Sequence, residues 1–334
     1  MNSKPWNFYW LILLVCASCS AITSNEPTKI NGASVVAPPQ KFSTQDLQPL
    51  KVLGANTIST MPYAYVDEKT GKLQYDMVGK QWYGETKQGT IECIKMAHEL
   101  NLKVMLKPHV WIGWGVFTGT YKPSGGYENL KQGYKQYVLD FAALAEKENV
   151  AYFCFGTEWK QFAKEEKLFF NKLIDEIRTI YTGKITYAAN WDNAFYIPFW
   201  DKLDFIGIDA YFPLIDNATP SITDLNAAWA PWKEKIKSLS SSYKKPILFT
   251  EYGFRNIDAC ANKPWESHNE LSTNNTCQCN GYQSLFDTFW DEPWFAGGFF
   301  WKYHTQLRNS DNNMFTPQQK PAWEIIKKRY HLKN

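Results

Sequence analysis

The sequence predicts one α/β domain with the architecture of a (β/α)8 TIM barrel, and three observations support this fold class. Eight short runs of β-branched and aromatic residues lie along the chain, most of them precede a segment with helical periodicity, and no break in composition divides the chain after residue 28. Alternating strands and helices are typical of a parallel sheet, and eight strands close such a sheet into a barrel. With 334 residues, 44% of them hydrophobic, the chain can bury the core that this fold needs.

The predicted elements follow in order along the chain. The eight strands are 30–36, 57–61, 103–107, 151–155, 185–189, 204–208, 247–250 and 296–301. The clearest helical stripes of apolar side chains fall within 130–145, 170–180, 225–239 and 282–289. An open doubly wound sheet is the alternative fold, but it usually carries a glycine-rich phosphate loop after its first strand, and this sequence has none there.

The longest connections follow predicted strands, so they should surround the carboxyl-terminal mouth of the barrel, where such folds place their chemistry. They are 64–88, 110–128, 254–281 and 303–320. The first contains an alternating pattern around a Thr-Gly turn, which predicts a small hairpin over 65–75. The second contains aromatic residues among glycines, which predicts an exposed aromatic patch formed by Trp111, Trp114, Phe117 and Tyr121.

Composition narrows the function. The chain has 15 Trp, 19 Tyr and 21 Phe, and flat aromatic faces with polar edges suit sugar rings, although generous aromatic packing of the core is the alternative interpretation. A net charge of +3 without any basic run argues against a nucleic-acid partner. Five histidines without a His-x-His or His-Glu-x-x-His motif argue against a metal hydrolase, so we expect no metal and no cofactor.

The N-terminus is typical of an exported protein. Residues 1–19 combine one early lysine with a short apolar run and a small-residue end, and residues 20–28 are a polar spacer before the domain at 29–334. The sequence from Cys16 to Cys19 resembles a bacterial lipoprotein box, although Cys16 stands where that family prefers Leu. The resemblance implies a lipid on Cys19 and anchoring at a membrane, in the periplasm or at the cell surface. Ordinary signal cleavage near Ser18 and secretion is the alternative.

Three cysteines lie together in one polar stretch. A disulfide from Cys260 to either Cys277 or Cys279 is expected in an oxidising compartment, with free thiols as the alternative.

Two glutamates stand out as candidate catalytic groups. Glu158 and Glu251 each come at the end of an apolar strand, the fourth and the seventh, where a carboxylate faces desolvation. A buried ion-paired structural role is the alternative for both. Two carboxylates across a barrel mouth suit glycoside hydrolysis, in which one protonates the leaving oxygen and the other attacks the anomeric carbon. Retaining enzymes of this kind hold the two carboxyl groups about 5 to 5.5 Å apart.

Four motifs carry a resemblance to a known family: KPHVW at 107–111, GTE at 156–158, DAYFPL at 209–214 and FTEYG at 249–253. In order and spacing they resemble clan A of the glycoside hydrolases, and within it family 113, the β-mannanases. The resemblance covers nearly all of the chain after its signal. It implies that Glu158 is the general acid/base, that Glu251 is the nucleophile, and that Trp301 is the platform beneath the sugar at the cleavage point.

One position departs from the clan, in which an Asn often precedes the acid/base and contacts the sugar 2-hydroxyl. This chain has Thr157, which reaches less far, so Asn190 is a candidate for that contact. His109 and Lys107 are candidates for bonds to sugar hydroxyls, with a structural histidine as the alternative for His109. Tyr211 is expected to donate to Glu251, with packing at the barrel rim as its alternative role. Further candidates for sugar binding are Tyr63, Trp111, Trp114, Trp191 and Asp192.

The sequence therefore predicts a monomeric, exported, retaining glycoside hydrolase that cleaves β-1,4-mannan or glucomannan internally, and the choice of substrate rests on the family resemblance. Its partner would be a β-linked polysaccharide or oligosaccharide, and it would meet a membrane only through its N-terminal lipid. Two alternatives stay open at this point. One is a retaining hydrolase of another β-glycan, and the other is a noncatalytic glycan-binding lipoprotein.

Overall fold

The computed structural model describes residues 1, 28–267, 271–307 and 314–332. Its strands in chain order are β1 (Ile30–Val35), β2 (Thr57–Thr60), β3 (Tyr63–Val66), β4 (Leu73–Tyr75), β5 (Lys103–Leu106), β6 (His109–Trp111), β7 (Tyr152–Thr157), β8 (Lys184–Asn190), β9 (Ile206–Asp209), β10 (Ile247–Tyr252) and β11 (Phe295–Tyr303). Eight of them close a barrel in the order β1-β11-β10-β9-β8-β7-β5-β2, and every neighbouring pair is parallel. The predicted barrel is confirmed, with each predicted strand at its place in the sequence.

The helices surround the barrel and pack on it through their apolar stripes. They are α1 (Thr44–Leu53), α2 (Lys87–Glu99), α3 (Glu128–Lys147), α4 (Lys160–Glu165), α5 (Lys167–Ile180), α6 (Ile222–Tyr243), α7 (Asn275–Phe289) and α8 (Ala322–His331). The stripe on α7 is fully buried, and those on α3, α5 and α6 supply most of the buried residues of their helices. Helical periodicity therefore identified the faces that cover the sheet.

A second, small sheet lies beside the mouth. The predicted hairpin is confirmed, because β3 and β4 pair antiparallel with Val66 opposite Leu73. The turn contains Gly71 at φ 71°, a left-handed conformation that glycine adopts without steric cost. The sequence did not predict that β6 adds to β3 in parallel, which carries Trp111 to the edge of this sheet.

Tyr121 corrects the expected aromatic patch. Its ring is buried, and its hydroxyl donates to the carbonyl oxygens of Asp67 and Glu68 at 3.2 and 3.0 Å. The residue therefore ties the long loop after β6 to the hairpin and presents no surface to solvent. A tyrosine can bury its ring wherever its hydroxyl reaches a carbonyl, and a sequence pattern does not reveal such a partner.

The cysteine prediction is decided in favour of one pair. Cys260 and Cys277 form a disulfide with their Cα atoms 6.1 Å apart, and Cys279 is free and half-buried. Cys277 and Cys279 both lie on α7, where residues two apart point to opposite sides of the helix, so only one of them can face Cys260.

The predicted signal, with Cys16 and Cys19, lies outside the described residues. Within the described part of the chain, no helix combines the length and the apolar character needed to cross a bilayer.

Candidate active site

The two predicted glutamates both lie at the carboxyl-terminal mouth of the barrel. Glu158 directly follows β7, and Glu251 is the fifth residue of β10. The register of β7 against β8 shifts between Cys154 and Thr157, and that of β10 against β9 shifts between Phe249 and Glu251. Such irregularities re-aim side chains and are common beside active sites. Each candidate carboxylate therefore follows a local break in the ladder.

The backbone at Glu158 is in an unusual conformation. Its φ is 56°, in the left-handed region that residues other than glycine rarely adopt, and its amide donates to the carbonyl oxygen of Ala188 at 2.8 Å. A sparsely populated conformation persists only where surrounding structure holds it, and such residues cluster at functional sites.

Both oxygens of Glu251 are held by hydrogen bonds. Lys107 Nζ lies 2.5 Å from Oε1, and the hydroxyl of Tyr211 donates to Oε2 at 2.9 Å. His109 Nε2 lies 3.8 Å from Oε1. The carboxylate is buried, so these donors replace the water that it loses. Donors that follow two separate strands, the ammonium of Lys107 and the hydroxyl of Tyr211, therefore fix its position.

Lys107 is fully buried between two carboxylates. Its Nζ also lies 3.1 Å from Oδ1 of Asp209, and the same oxygen accepts a hydrogen bond from Thr250 at 2.8 Å. Burial lowers the pKa of Lys107, but the charges of Asp209 and Glu251 more than offset this, so its pKa is raised and it is an ammonium. Lys107 was a candidate for a bond to a sugar hydroxyl, but the structure encloses its charge in protein, where it pairs with Asp209 and Glu251 instead.

Asp209 was missed as a site residue by the sequence analysis. Its signal was present, because an acidic residue closes the apolar strand β9 just as a glutamate follows β7. The side chain of Asp209 is buried. Its pKa is raised to about 7, mainly by burial and to a lesser extent by the negative charge of Glu251.

Glu158 has a different environment from Glu251. No cation lies within ion-pairing distance of it among the described residues. Burial and the negative charges of Asp209 and Glu251 raise its pKa well above the usual range, against a smaller opposing effect of Lys107. Two carboxyl groups whose environments separate their protonation states can divide the roles of acid and nucleophile. In this site Glu158 is suited to hold a proton and Glu251 to attack.

Aromatic rings line the floor beside these carboxylates. Trp301 lies on β11, and its ring is nearly parallel to that of His109, with centroids 6.4 Å apart and planes at 6°. Tyr63 packs on the other side of this cluster, with its ring centroid 5.2 Å from that of His109. Burial and the charge of Lys107 hold the pKa of His109 well below its usual value, so the imidazole is neutral. The peptide bond from Trp301 to Lys302 is cis.

The residues after β8 form one side of the rim. The side-chain oxygen Oδ1 of Asn190 is buried without a hydrogen-bond partner in the described structure, while Asp192 pairs with Lys160 at 2.6 Å. Trp191 stacks on Trp265, with ring centroids 5.3 Å apart and planes at 21°. Trp265 is 41% exposed and was not among the predicted site residues. Its signal was a tryptophan in a polar loop, the same feature that identified Trp114.

The loop after β6 forms another part of the rim. Trp111 and Trp114 meet edge to face, with ring centroids 5.2 Å apart, and their side chains are 38% and 86% exposed. Phe117 is exposed beside them in the sequence. Three of the four residues of the predicted patch are therefore available to solvent.

Within the described ranges, no group of three or more histidine, cysteine or acidic residues is arranged to hold a metal ion.

The fold is a closed parallel (β/α)8 barrel. At its mouth, the pKa of Glu158 is raised and Glu251 is hydrogen-bonded to Lys107, with Trp301 nearby. This combination defines the class of glycoside hydrolases. The model of Glycoside Hydrolase Family 113 matches residues 39–320, and the chain belongs to that family. Among curated proteins, no sequence matches this chain.

Solved structures are similar over most of the chain. The GH113 β-mannanase AaManA from Alicyclobacillus acidocaldarius in complex with ManMIm has a TM-score of 0.79 and 20% identity, over 90% of this chain and 97% of that one. A complex structure of a GH113 β-1,4-mannanase has a TM-score of 0.78 and 23% identity, over 91% and 99%. A further GH113 β-1,4-mannanase structure has a TM-score of 0.76 and 25% identity, over 91% and 99%.

Proposed function

We propose that this protein is a retaining hydrolase of β-1,4-linked mannan or glucomannan. The observation that carries the mechanism is the contrast between the two glutamates. Glu251 is hydrogen-bonded to a buried ammonium and a tyrosine hydroxyl, whereas Glu158 has a raised pKa and no cation within ion-pairing distance among the described residues. A nucleophile must be anionic, and an acid must carry a proton at the working pH.

The reaction takes place in two displacements. Glu251 attacks the anomeric carbon, the bond from that carbon to the leaving oxygen breaks, and Glu158 gives its proton to that oxygen. Glu158, now a carboxylate, then takes a proton from water as the water attacks the same carbon and releases Glu251. The net result is hydrolysis with retention of the anomeric configuration.

The neighbouring side chains hold the sugar at the cleavage point. Trp301 supplies a flat apolar face, and neutral His109 offers a ring nitrogen to a hydroxyl without adding charge beside Glu251. The buried Oδ1 of Asn190 has no hydrogen-bond partner among the described residues, which supports its role as an acceptor for a sugar hydroxyl. Tyr63 packs against His109 and fixes its ring.

The rim supports internal cleavage of a long chain. Trp111 and Trp114 lie at and after the end of β6. Trp191 follows β8, and Trp265 lies in the loop after β10. Each exposed ring can hold one sugar unit, and rings on loops from different strand ends suit a polysaccharide that extends beyond the catalytic pair. Asp192 lies beside Trp191 and is a further acceptor for sugar hydroxyls.

Mannan is proposed because family membership is shared with proteins described as β-1,4-mannanases. Another β-glycan is the second candidate substrate, and a noncatalytic glycan-binding protein is the third possibility.

The test is product analysis on β-mannan, glucomannan, xylan and cellulose oligosaccharides, with Glu158→Gln and Glu251→Gln as matched isosteric variants. Release of internal fragments from mannans by the wild type alone, with retained configuration, is the expected result. Release of fragments from xylan or cellulose only would replace mannan as the proposed substrate. Binding without cleavage would favour the noncatalytic alternative, and activity that survives both substitutions would mean that the site is elsewhere.

We also propose that the protein is exported, is anchored through a lipid on Cys19, and acts as a monomer. The disulfide between Cys260 and Cys277 supports export, because disulfides persist mainly in oxidising compartments. Labelled palmitate should enter the wild type and the Cys16→Ala variant but not Cys19→Ala. Label that fails to enter the wild type would leave secretion as the alternative, and sedimentation of the mature domain would test the monomer.

A further inference from the structure

The buried cation beside the proposed nucleophile has two carboxyl partners, whereas the reaction proposed above uses only one. Lys107 Nζ lies 2.5 Å from Glu251 Oε1 and 3.1 Å from Asp209 Oδ1, and neither Lys107 nor Asp209 exposes any surface. Thr250 fixes the same oxygen of Asp209 from β10 at 2.8 Å. Glu251 reacts, and Asp209 stays behind the ammonium throughout.

The charges move during the first displacement. When Glu251 becomes an ester its negative charge is lost, and the equivalent charge appears on Glu158, which has given its proton to the leaving oxygen. The total charge of the site is unchanged, but the anion that bonded Lys107 is gone. A buried ammonium without a partner is costly, because the protein interior solvates it poorly.

We propose that Asp209 is a positioning residue that serves as the permanent counter-ion of Lys107, so that the ammonium stays paired while Glu251 is esterified. This inference rests on the proposed function for its catalytic meaning. Asp209 does not touch the substrate and acts through Lys107 on the nucleophile.

The environment of Asp209 supports this role. Burial and the charge of Glu251 raise its pKa to about 7. When Glu251 is esterified, its contribution disappears and the pKa of Asp209 falls, which favours the anion at the stage of the reaction where Lys107 needs it. The remaining oxygen of Asp209, Oδ2, is buried and has no hydrogen-bond partner among the described residues, so the hydrogen bonds that hold this carboxyl group are those of Lys107 and Thr250 to Oδ1.

The first test measures unfolding and does not depend on activity. Glu251→Gln carries no charge and therefore imitates the loss of charge in the ester. Glu251→Gln and Asp209→Asn each leave Lys107 one carboxylate, whereas the double variant leaves none. We expect the decrease in the midpoint of thermal unfolding of the double variant to exceed the sum of the two single decreases by about 5 °C or more.

Two further variants make this result specific. Adding Lys107→Met to the double variant should recover most of the excess loss, because it removes the unpaired cation. The matched control Glu158→Gln with Asp209→Asn makes the same Glu-to-Gln change at the other glutamate but leaves Lys107 paired with Glu251, and its effects should add. Additive losses in the first double variant, or no recovery with Lys107→Met, would overturn the proposal.

The second test separates the two displacements with an aryl β-mannoside that has a good leaving group. Asp209→Asn should slow release of the aryl group in the first turnover by about 100-fold, because that step leaves Lys107 unpaired. The second step restores the carboxylate and should be slowed far less. First-turnover release at the wild-type rate would contradict the role of Asp209. A wild type that releases nothing would contradict the proposed function, and the unfolding test would still decide about Asp209.

Discussion

The hydroxyl of Tyr211 donates a hydrogen bond to Oε2 of Glu251 at 2.9 Å, although the two residues are 40 positions apart in the sequence. They meet because β9 and β10 are neighbours in the barrel and both end at the mouth. Lys107, which directly follows β5, holds the other oxygen from across the barrel. Glu251, the proposed nucleophile, is therefore positioned by three separate segments of the chain.

Replacing Tyr211 by Phe removes the bond to Glu251 while keeping the ring. Hydrogen bonds to charged groups contribute about 1.5 to 3 kcal/mol, so we expect kcat on mannan oligosaccharides to fall by about 10- to 100-fold. The matched control is Tyr252→Phe, because Tyr252 lies one residue after Glu251 and its hydroxyl meets that of Tyr330 away from the mouth. The control should lose stability and keep its rate. Equal rates for wild type and Tyr211→Phe would show that the bond does not matter for attack.

The raised pKa of Glu158 predicts the alkaline side of the pH profile. The first displacement requires a protonated Glu158, so kcat/KM should decline as pH rises through the raised pKa of this group. On a substrate whose leaving group is good enough for Glu158→Gln to retain measurable activity, that variant should lack the alkaline decline that the wild type shows. Asp209→Asn removes one of the negative charges that raise the pKa, so it should move the decline to lower pH. An alkaline decline that is unchanged in Glu158→Gln would assign it to another group.

The disulfide stabilises the loop that carries Trp265. Cys260 and Cys277 are 17 residues apart, and closing a loop of that length contributes about 3 kcal/mol to the free energy of unfolding. A loss of that free energy should lower the midpoint of thermal unfolding of Cys260→Ser by several degrees. The same variant should bind long oligosaccharides more weakly, with a smaller effect on short ones. Cys279→Ser is the control, since that thiol is free. A reductant should reproduce the effect in the wild type but not in Cys260→Ser.

Trp114 tests the extent of the cleft. Its side chain is 86% exposed, so Trp114→Ala should leave the unfolding midpoint unchanged while raising KM for polymeric mannan. KM for the shortest cleaved oligosaccharide should stay the same, because that ligand does not reach the rim. Leu168→Ala is the control, an exposed apolar residue on α5 outside the mouth. A rise in KM that is equal for short and long substrates would place Trp114 next to the cleavage point instead.

Local patterns in the sequence were sufficient for the barrel. The strand at 247–250 and the helix at 282–289 follow from the spacing of apolar residues, because each element must bury one face against its neighbours. The same logic located Glu158 and Glu251, since a carboxylate at the end of an apolar strand is costly without a function. It would have located Asp209 too, had it been applied to every strand.

The contacts between distant segments could not be obtained this way. The burial of Tyr121 depends on carbonyl groups more than 50 residues earlier in the chain, and the stacking of Trp265 depends on Trp191 from another loop. Neither partner leaves a periodic signal at the position it contacts.

The sequence by itself determined the eight strands, the helical faces that cover them and the two glutamates at their ends, because hydrophobic periodicity and the cost of burying charge act locally. Only the tertiary structure decided that Cys277 pairs with Cys260, and that Lys107 is enclosed by Asp209 and Glu251. The cysteine pairing depends on which face of α7 lies toward Cys260. The enclosure of Lys107 depends on distances across the barrel, which the closing of the sheet sets.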